Sequence, residues 1–148
     1  MKTLDLKSTE IFCLLIDKMQ GKQHLKIENE PYMPLTIERL GDAYGEHAGL
    51  YSLCHYYEQN GDLMQDPEMC FIVVDGRTTE KTGCENVQVT PYYFAQANLG
   101  YYEQSIVFDD RVMKKCDDRV QHGQTEFAVI WLKNIWGQGF LDEINEQQ

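Results

Sequence analysis

A chain of 148 residues with 43% apolar and 25% charged side chains can bury one hydrophobic core, and its Phe 6, Tyr 9 and Trp 2 supply large packing groups, which excludes wholesale disorder. A formal charge of -11 and a sequence pI of about 4.7 set an average field that repels nucleic-acid phosphates and anionic lipid headgroups, so direct nucleic-acid binding is not expected. No uncharged run reaches membrane-spanning length, and Met1-Lys2-Thr3-Leu4-Asp5-Leu6-Lys7 lacks the apolar core of a signal peptide, so a cytoplasmic protein is expected.

Ser8 or Thr9 can cap a first helix over Thr9 to Gln20, where Phe12, Leu15, Ile16 and Met19 recur at helical spacing and Gly21 supplies a stop. Leu25-Lys26-Ile27 reads as a short strand. Leu35 and Ile37 share one face of the next extended segment, whose Pro31 and Pro34 point to an edge or an irregular start. Gly41 to Gly49 reads as a loop, punctuated by Gly41, Asp42, Gly45 and Gly49. Leu50 to Tyr57 alternates as a strand, although Leu50, Leu53, Cys54 and Tyr57 also fit a helical period. The strand reading is preferred because Asn60-Gly61-Asp62 is turn chemistry and the apolar run beyond it needs a hydrogen-bonding neighbour.

Met69 to Val74 is apolar on both faces and reads as a central strand, followed by a polar loop from Asp75-Gly76 through Gly83. Val87 to Ala97 resumes as a strand in which Pro91 implies an edge, a bulge or a break. Asn98-Leu99-Gly100 can return the chain, making Tyr101 to Phe108 its antiparallel partner. Asp109 or Asp110 can cap a helix with Val112, Met113, Cys116 and Val120 on one face, which His122-Gly123 breaks. Thr125 starts a final helix with the stripe Phe127, Ala128, Trp131, Leu132 and Ile135, ending near Gly137, and Leu141 to Gln148 should fray. These elements add up to a single α+β domain. Its expected form is a twisted antiparallel sheet of four or five strands packed against the N-terminal and C-terminal helices, with a helix Arg111–Val120 at its flank.

The segment Glu58 to Glu68 sets four carboxylates, Glu58, Asp62, Asp66 and Glu68, around a turn before the central strand. Hard cations need clustered oxygen ligands, so this turn is a candidate Mg²⁺ or Ca²⁺ site, although it lacks the spacing of an EF-hand loop. The plainer reading has Asp62 and Asp66 accepting bonds from turn N–H groups while Glu58 and Glu68 face water. A metal-dependent nuclease or hydrolase would use Asp62, Asp66, Glu68 and Asp75 with Lys81, but Met69 to Val74 contains no Glu-x-Lys pair. His47, Cys54, His55 and Cys70 or Cys84 could compose a zinc set, yet their spacing is irregular and Cys54 and His55 would point to opposite strand faces. A Cys/His nucleophile pair has the same weakness and no third orienting residue. Gly41, Gly45 and Gly49 match no phosphate-binding loop. The five cysteines form no Cys-x-x-Cys pair and read mainly as buried thiols in a reducing compartment. No metal, cofactor or catalytic residue is assigned.

Tyrosines give rigid contact area with a polar tip, so Tyr51, Tyr56, Tyr57, Tyr92, Tyr93, Tyr101 and Tyr102 with Phe94 form either a recognition surface or cross-strand stacks that only hold the sheet.

Three stretches carry a family likeness: Pro31-Tyr32-Met33-Pro34-Leu35-Thr36-Ile37-Glu38, His55-Tyr56-Tyr57-Glu58 running on to Glu68, and Val89-Thr90-Pro91-Tyr92-Tyr93 with Asn98-Leu99-Gly100. Over about residues 6–140 the chain resembles an uncharacterised bacterial family, the DUF6908 type found in gut and other Firmicutes, often near plasmid or conjugative-transposon genes. The resemblance implies a cytoplasmic accessory role on mobile DNA and transfers no catalytic residue.

The resulting expectation is a non-enzymatic accessory or protein-binding domain of a bacterial mobile element. Its binding surface would comprise Tyr56, Tyr57, Glu58, Asp62, Asp66, Glu68, Tyr92 and Tyr93. The alternative is the metal-dependent hydrolase or nuclease. A protein partner is expected, and a homodimer could form through the sheet edge near Pro34 or through surplus aromatic surface.

Overall fold

The computed structural model describes residues 1–43, 48–77 and 83–142. In chain order the elements are α1 (Leu6–Met19), β1 (His24–Asn29), β2 (Tyr32–Asp42), β3 (Ala48–Gln59), β4 (Asp62–Asp75), β5 (Val87–Gln96), β6 (Tyr101–Gln104), β7 (Ile106–Asp109), β8 (Val112–Cys116) and α2 (Asp118–Gly137). β1 to β6 form one antiparallel sheet of six strands in sequential order, and β7 and β8 form a separate two-stranded ribbon. The α+β class and the two flanking helices match the expectation, while the main sheet has more strands than the four or five anticipated.

Both helices lie on one face of the sheet. Ile11, Phe12 and Leu15 from α1 and Ala128, Leu132 and Ile135 from α2 pack against Leu35, Ile37, Leu53, Met69, Phe71, Val73 and Val89, all nearly or fully buried. At the centre, Phe12 meets Phe71 with ring centroids 4.8 Å apart at 61°, and Tyr51 edge-on at 6.1 Å and 88°. The ribbon covers part of the other face, where Ala48, Cys70, Ile72, Tyr92 and Ile106 form a smaller cluster with Phe108 and Met113 beside it.

Prolines accompany three of the main sheet's register shifts, and the shift between Arg39 and Gly41 has none. Pro34 lies in β2, where residues Met33 and Pro34 fall between the pairs Asn29↔Tyr32 and Ile27↔Leu35 and face only Glu28. Pro67 lies between Cys54↔Glu68 and Tyr56↔Gln65, and Pro91 stands next to the extra Tyr92 between Phe71↔Pro91 and Cys70↔Tyr93. A bulge leaves a residue unpaired, which is where a residue without an N–H can stay inside a sheet. Pro34 therefore marks no edge: β2 pairs with β1 on one side and β3 on the other, and the sheet edges are β1 and β6.

The acidic segment is also more regular than expected. Only Asn60 (φ 54°) and Gly61 (φ 85°) make the turn, both in the left-handed region that a two-residue hairpin loop requires. Asp62, Asp66 and Glu68 belong to the 14-residue β4, not to a loop. Likewise β2 runs to Asp42 and β3 begins at Ala48, so the expected Gly41–Gly49 loop shrinks to residues 43–47, of which 44–47, including His47, lie outside the described residues. Most of the expected loop after Asp75, with Lys81, also lies outside them.

The helix expected over Arg111–Val120 is instead β8 followed by the start of α2. Asp110 and Arg111 adopt φ of 51° and 66° and close the two-residue turn between Asp109 and Val112. The spacing of Val112, Met113 and Cys116 fits both periods, and the turn decides between them. Asp117 is the N-cap of α2, accepting from Val120 N, and the helix runs unbroken through His122-Gly123 past the expected start at Thr125. Thr125 Oγ1 donates to Gln121 O at 2.9 Å, a bond within the helix. Gly123 in this interior costs roughly 0.5–1 kcal/mol relative to alanine. At the other end, α1 begins at Leu6 because Asp5, not Ser8 or Thr9, is the cap: Ser8 N donates to Asp5 Oδ1 at 2.8 Å.

The segment expected as one strand from Tyr101 to Phe108 divides at Ser105, which passes the chain from the main sheet to the ribbon. Ser105 N donates to Tyr92 O and its carbonyl accepts from Asp117 N, each at 2.8 Å, while Oγ donates to Gln124 Oε1 at 2.5 Å. Buried Gln121 stitches α2 to Lys2, accepting from Lys2 N and donating to Lys2 O at 2.7 Å each, and to Pro91 O at 3.1 Å. Among the described residues, no helix is long and apolar enough to cross a membrane.

Phe71 is fully buried between α1 and the sheet. Phe71→Ala is expected to lower unfolding free energy by about 3–5 kcal/mol, read as a reduced midpoint in urea denaturation. A change of the size seen at exposed positions would show that the α1–sheet contact is not central.

Candidate functional site

From Glu68 onward, alternate residues of β4 divide between the faces: Met69, Phe71 and Val73 enter the helix-side core, while Cys70 and Ile72 join the cluster beneath the ribbon. Glu68 lies on that second face, on the stretch beyond the ribbon's cluster, with Ser52 and Cys54 from β3 as neighbours across the ladder. Ser52 Oγ donates to Glu68 Oε2 at 2.5 Å. The Cys70 thiol contacts both the Ser52 and Tyr92 hydroxyls, and the Cys54 thiol contacts the Tyr56 hydroxyl.

This half-buried carboxylate sets the chemistry of its surroundings. Burial pushes the Cys70 thiol up to about 12, with the Glu68 charge adding to the shift. Burial, with the same charge, also raises Cys54 and Tyr56, while for Tyr92 burial acts with Cys70 and for Tyr93 with Glu68. A thiol must ionise to act as a nucleophile, so these groups are held in their least reactive forms. They stay as O–H and S–H groups, with Cys54, Cys70 and Tyr92 buried.

Next to this patch a cleft of ≈ 500 Å³ opens toward the β3–β4 turn, lined by Lys26, Met33, Pro34, Thr36, Tyr56, Tyr57, Glu58 and Leu63. Thus Tyr56, Tyr57 and Glu58 of the expected surface come together in one depression. Leu63 is 64% exposed and Met33 36%, so the cleft shows apolar side chains to solvent between Lys26 and Glu58. The cleft's Lys26, Met33 and Leu63 were not anticipated; each is a single residue whose role depends on register with a neighbouring strand.

The rest of the expected surface is dispersed. Asp62 is exposed at the turn, and Asp66 accepts from Gln96 Nε2 at 2.9 Å. Tyr92 is 8% exposed and packs edge-on against Phe108 of the ribbon at 5.2 Å, so it cannot meet a partner, and Tyr93 is half-buried beside it. Asp75 is held by the Arg77 guanidinium through Nε and Nη2 at 3.0 and 2.8 Å, with Asp17 completing the group at 3.2 Å from Nη1. Hydrogen bonding from Arg77 keeps the Asp75 carboxyl below the usual range. Asp62 and Asp75 are the two ends of β4, roughly 40 Å of strand apart at about 3.3 Å per residue. The four carboxylates of the hydrolase reading do not converge. Among the described residues, no three His, Cys, Asp or Glu side chains are grouped to hold a metal ion. His55, a member of the zinc set, points to the helix side, its ring 5.7 Å from Trp131 and 5.5 Å from Phe140.

A six-stranded meander with helices on one face, and a tyrosine-lined cleft on the other, defines a small α+β domain built around an accessible sheet surface. The chain belongs to the DUF6908 family, a domain of unknown function whose model matches residues 10–141. No curated protein and no solved structure shows significant similarity to it.

Burial lowers the His55 pKa from the ordinary 6.5, only partly opposed by the carbonyls of Met33 and Pro34 at 3.1 and 3.2 Å from Nδ1. The folded state therefore binds this proton less readily than the unfolded state, and stability present above pH 6.5 is lost as pH falls from there toward the folded pKa. The melting temperature is expected to drop between pH 7 and 5, and His55→Gln to flatten that slope; equal slopes in both proteins would refute the assignment. A second expectation concerns the thiols: Cys13, Cys54 and Cys70 are buried and Cys84 and Cys116 partly exposed. Native-state labelling by iodoacetamide at pH 8, mapped by mass spectrometry, should reach the latter two first.

Proposed function

We propose that this chain is a non-enzymatic, protein-binding accessory domain whose cleft at Tyr56, Tyr57 and Glu58 takes a segment of a partner protein. The observation that carries this reading is the convergence of two tyrosines, Met33, Pro34 and the exposed Leu63 in one depression on the face that the helices leave open. Aromatic and apolar anchors in a pocket, rimmed by charge, are what concentrates binding energy at protein interfaces. Lys26 and Glu58 supply opposite charges at that rim and fix the orientation of a bound segment. Beside the cleft only Tyr56, Tyr93 and Glu68 of the neighbouring patch are partly exposed, while Ser52, Cys54, Cys70 and Tyr92 are buried beneath the surface.

The family likeness adds the context of bacterial mobile DNA and a cytoplasmic setting. A formal charge of -11 favours action there through protein contacts over phosphate contacts.

The test is selection of peptides from a random displayed library on the folded protein, followed by amide chemical-shift mapping with the selected peptide. Shifts should concentrate on Lys26, Met33, Tyr57 and Leu63, and Tyr57→Ala and Leu63→Asp should each weaken binding about tenfold or more, a loss of about 1.4 kcal/mol. Selected peptides that bind elsewhere, or bind both variants as well as the parent, would refute it. Calorimetry against Mg²⁺, Mn²⁺ and Zn²⁺ addresses the enzymatic alternative: saturable micromolar binding abolished by Asp66→Asn would favour a hydrolase.

A further inference from the structure

On the helix side, at the end of the sheet formed by β5 and β6, a second, open depression of ≈ 390 Å³ is lined by Phe94, Tyr101, Glu103, Arg119, Gly123 and Phe127, together with Val120 and Gln124. Its volume falls within the range of small-ligand pockets. Three of its rings are mutually braced: Phe94 stands edge-on to Tyr101 at 5.7 Å and 67°, and to Phe127 at 4.9 Å and 74°. Gln124 Nε2 donates to Glu103 O at 2.9 Å, which ties α2 to this wall.

Two exposed residues of α2 shape this depression. Gly123 lies in the interior of the 20-residue helix, where glycine is the poorest choice after proline, and a Cβ there would meet nothing within 4 Å. Neither a close approach nor a turn requires it; its lack of a side chain keeps the cavity open. One turn earlier, Arg119 occupies the first turn of the helix, where a cation is disfavoured by the dipole, and it has no ion-pair partner among the described residues. An exposed guanidinium without an ion pair, on the rim of an aromatic depression, offers its fork to an anion on an apolar body, and guanidinium and carboxylate match in bidentate geometry.

We infer that this cavity binds a carboxylate carrying an aromatic or bulky apolar group, the carboxylate on Arg119 and the apolar group among Phe94, Tyr101 and Phe127. The site is separate from the Tyr56–Leu63 cleft, and neither depends on the other. A free organic acid and the C-terminal residue of a protein present the same chemistry, and the experiment distinguishes them.

Chemical-shift titrations use 3-phenylpropionate, the peptide acetyl-Ala-Ala-Phe with a free C-terminus, and the same peptide as its C-terminal amide. Saturable shifts at Phe94, Gly123 and Phe127 are expected with at least one acid, and binding about tenfold weaker or absent with the amide. If 3-phenylpropionate binds as tightly as the free-acid peptide, the site serves a small acid; if only the peptide saturates, it serves a protein C-terminus. Arg119→Gln should weaken the acid by about tenfold. Gly123→Ala should do the same while leaving the melting temperature unchanged or higher, a combination that loss of folding cannot produce. The inference is overturned if neither acid saturates, if the amide binds as well as the acid, or if Arg119→Gln and Gly123→Ala both bind like the parent.

Discussion

A proline cannot contribute an N–H to a β-ladder, and Pro34, Pro67 and Pro91 all lie within strands of this sheet. Pro34 and Pro67 fall at bulges, whereas Pro91 keeps its pairing with Phe71 in the part of β5 that β6 does not reach and has the bulge residue Tyr92 next to it; these bulges organise what the sheet displays. At Pro91 the extra residue allows both Tyr92 and Tyr93 to pack with the cluster beneath the ribbon, while Phe94 returns to the helix side to meet Phe127. At Pro67 the shift lies between the part of β4 that enters the core and the part that forms the cleft wall. At Pro34 the proline itself becomes part of the cleft. Both candidate sites thus follow from how the ladder accommodates a missing donor.

The two faces of the sheet have different tasks. The helix face is occupied by apolar packing around Phe12 and Phe71, supported by Gln121 at the point where α2, the N-terminal segment and β5 meet. The other face is shared. The ribbon takes the half near Ile72 and Tyr92, and the half near Tyr56 and Thr36 stays accessible, with Glu68 at the boundary. Burial, with the Glu68 carboxylate beside it, raises the cost of ionising the neighbouring thiols and phenols, so these groups stay protonated within the sheet.

Much of this was legible in the residues, for identifiable reasons. Asn60-Gly61 signals a two-residue hairpin, the doubly apolar run from Met69 can only be interior, and Phe12, Leu15 and Met19 show the helix period. Asp110-Arg111 carries no comparable signal, because a residue pair without glycine seldom adopts two positive φ values, and so β8 read as a helix. That one misreading also hid the ribbon, and with it the burial of Tyr92. Tyr56, Tyr57 and Glu58 were anticipated together because they are adjacent in sequence. Lys26, Met33 and Leu63 join them only through strand register, which bulges shift in ways that composition does not reveal. Gly123 was read as a helix break by the usual rule, and its placement inside a continuous helix is what draws attention to the second cavity.

A residue at which a chain leaves one sheet for another is a natural pivot, and Ser105 is the only residue between β6 and β7. Here its amide, carbonyl and hydroxyl are all engaged, by β5 and by α2. For the ribbon to swing outward, three hydrogen bonds would have to open in a buried place where water could not replace them at once. The joint is therefore a weld, and among the described residues it fixes in advance how much of the sheet's second face the ribbon leaves open.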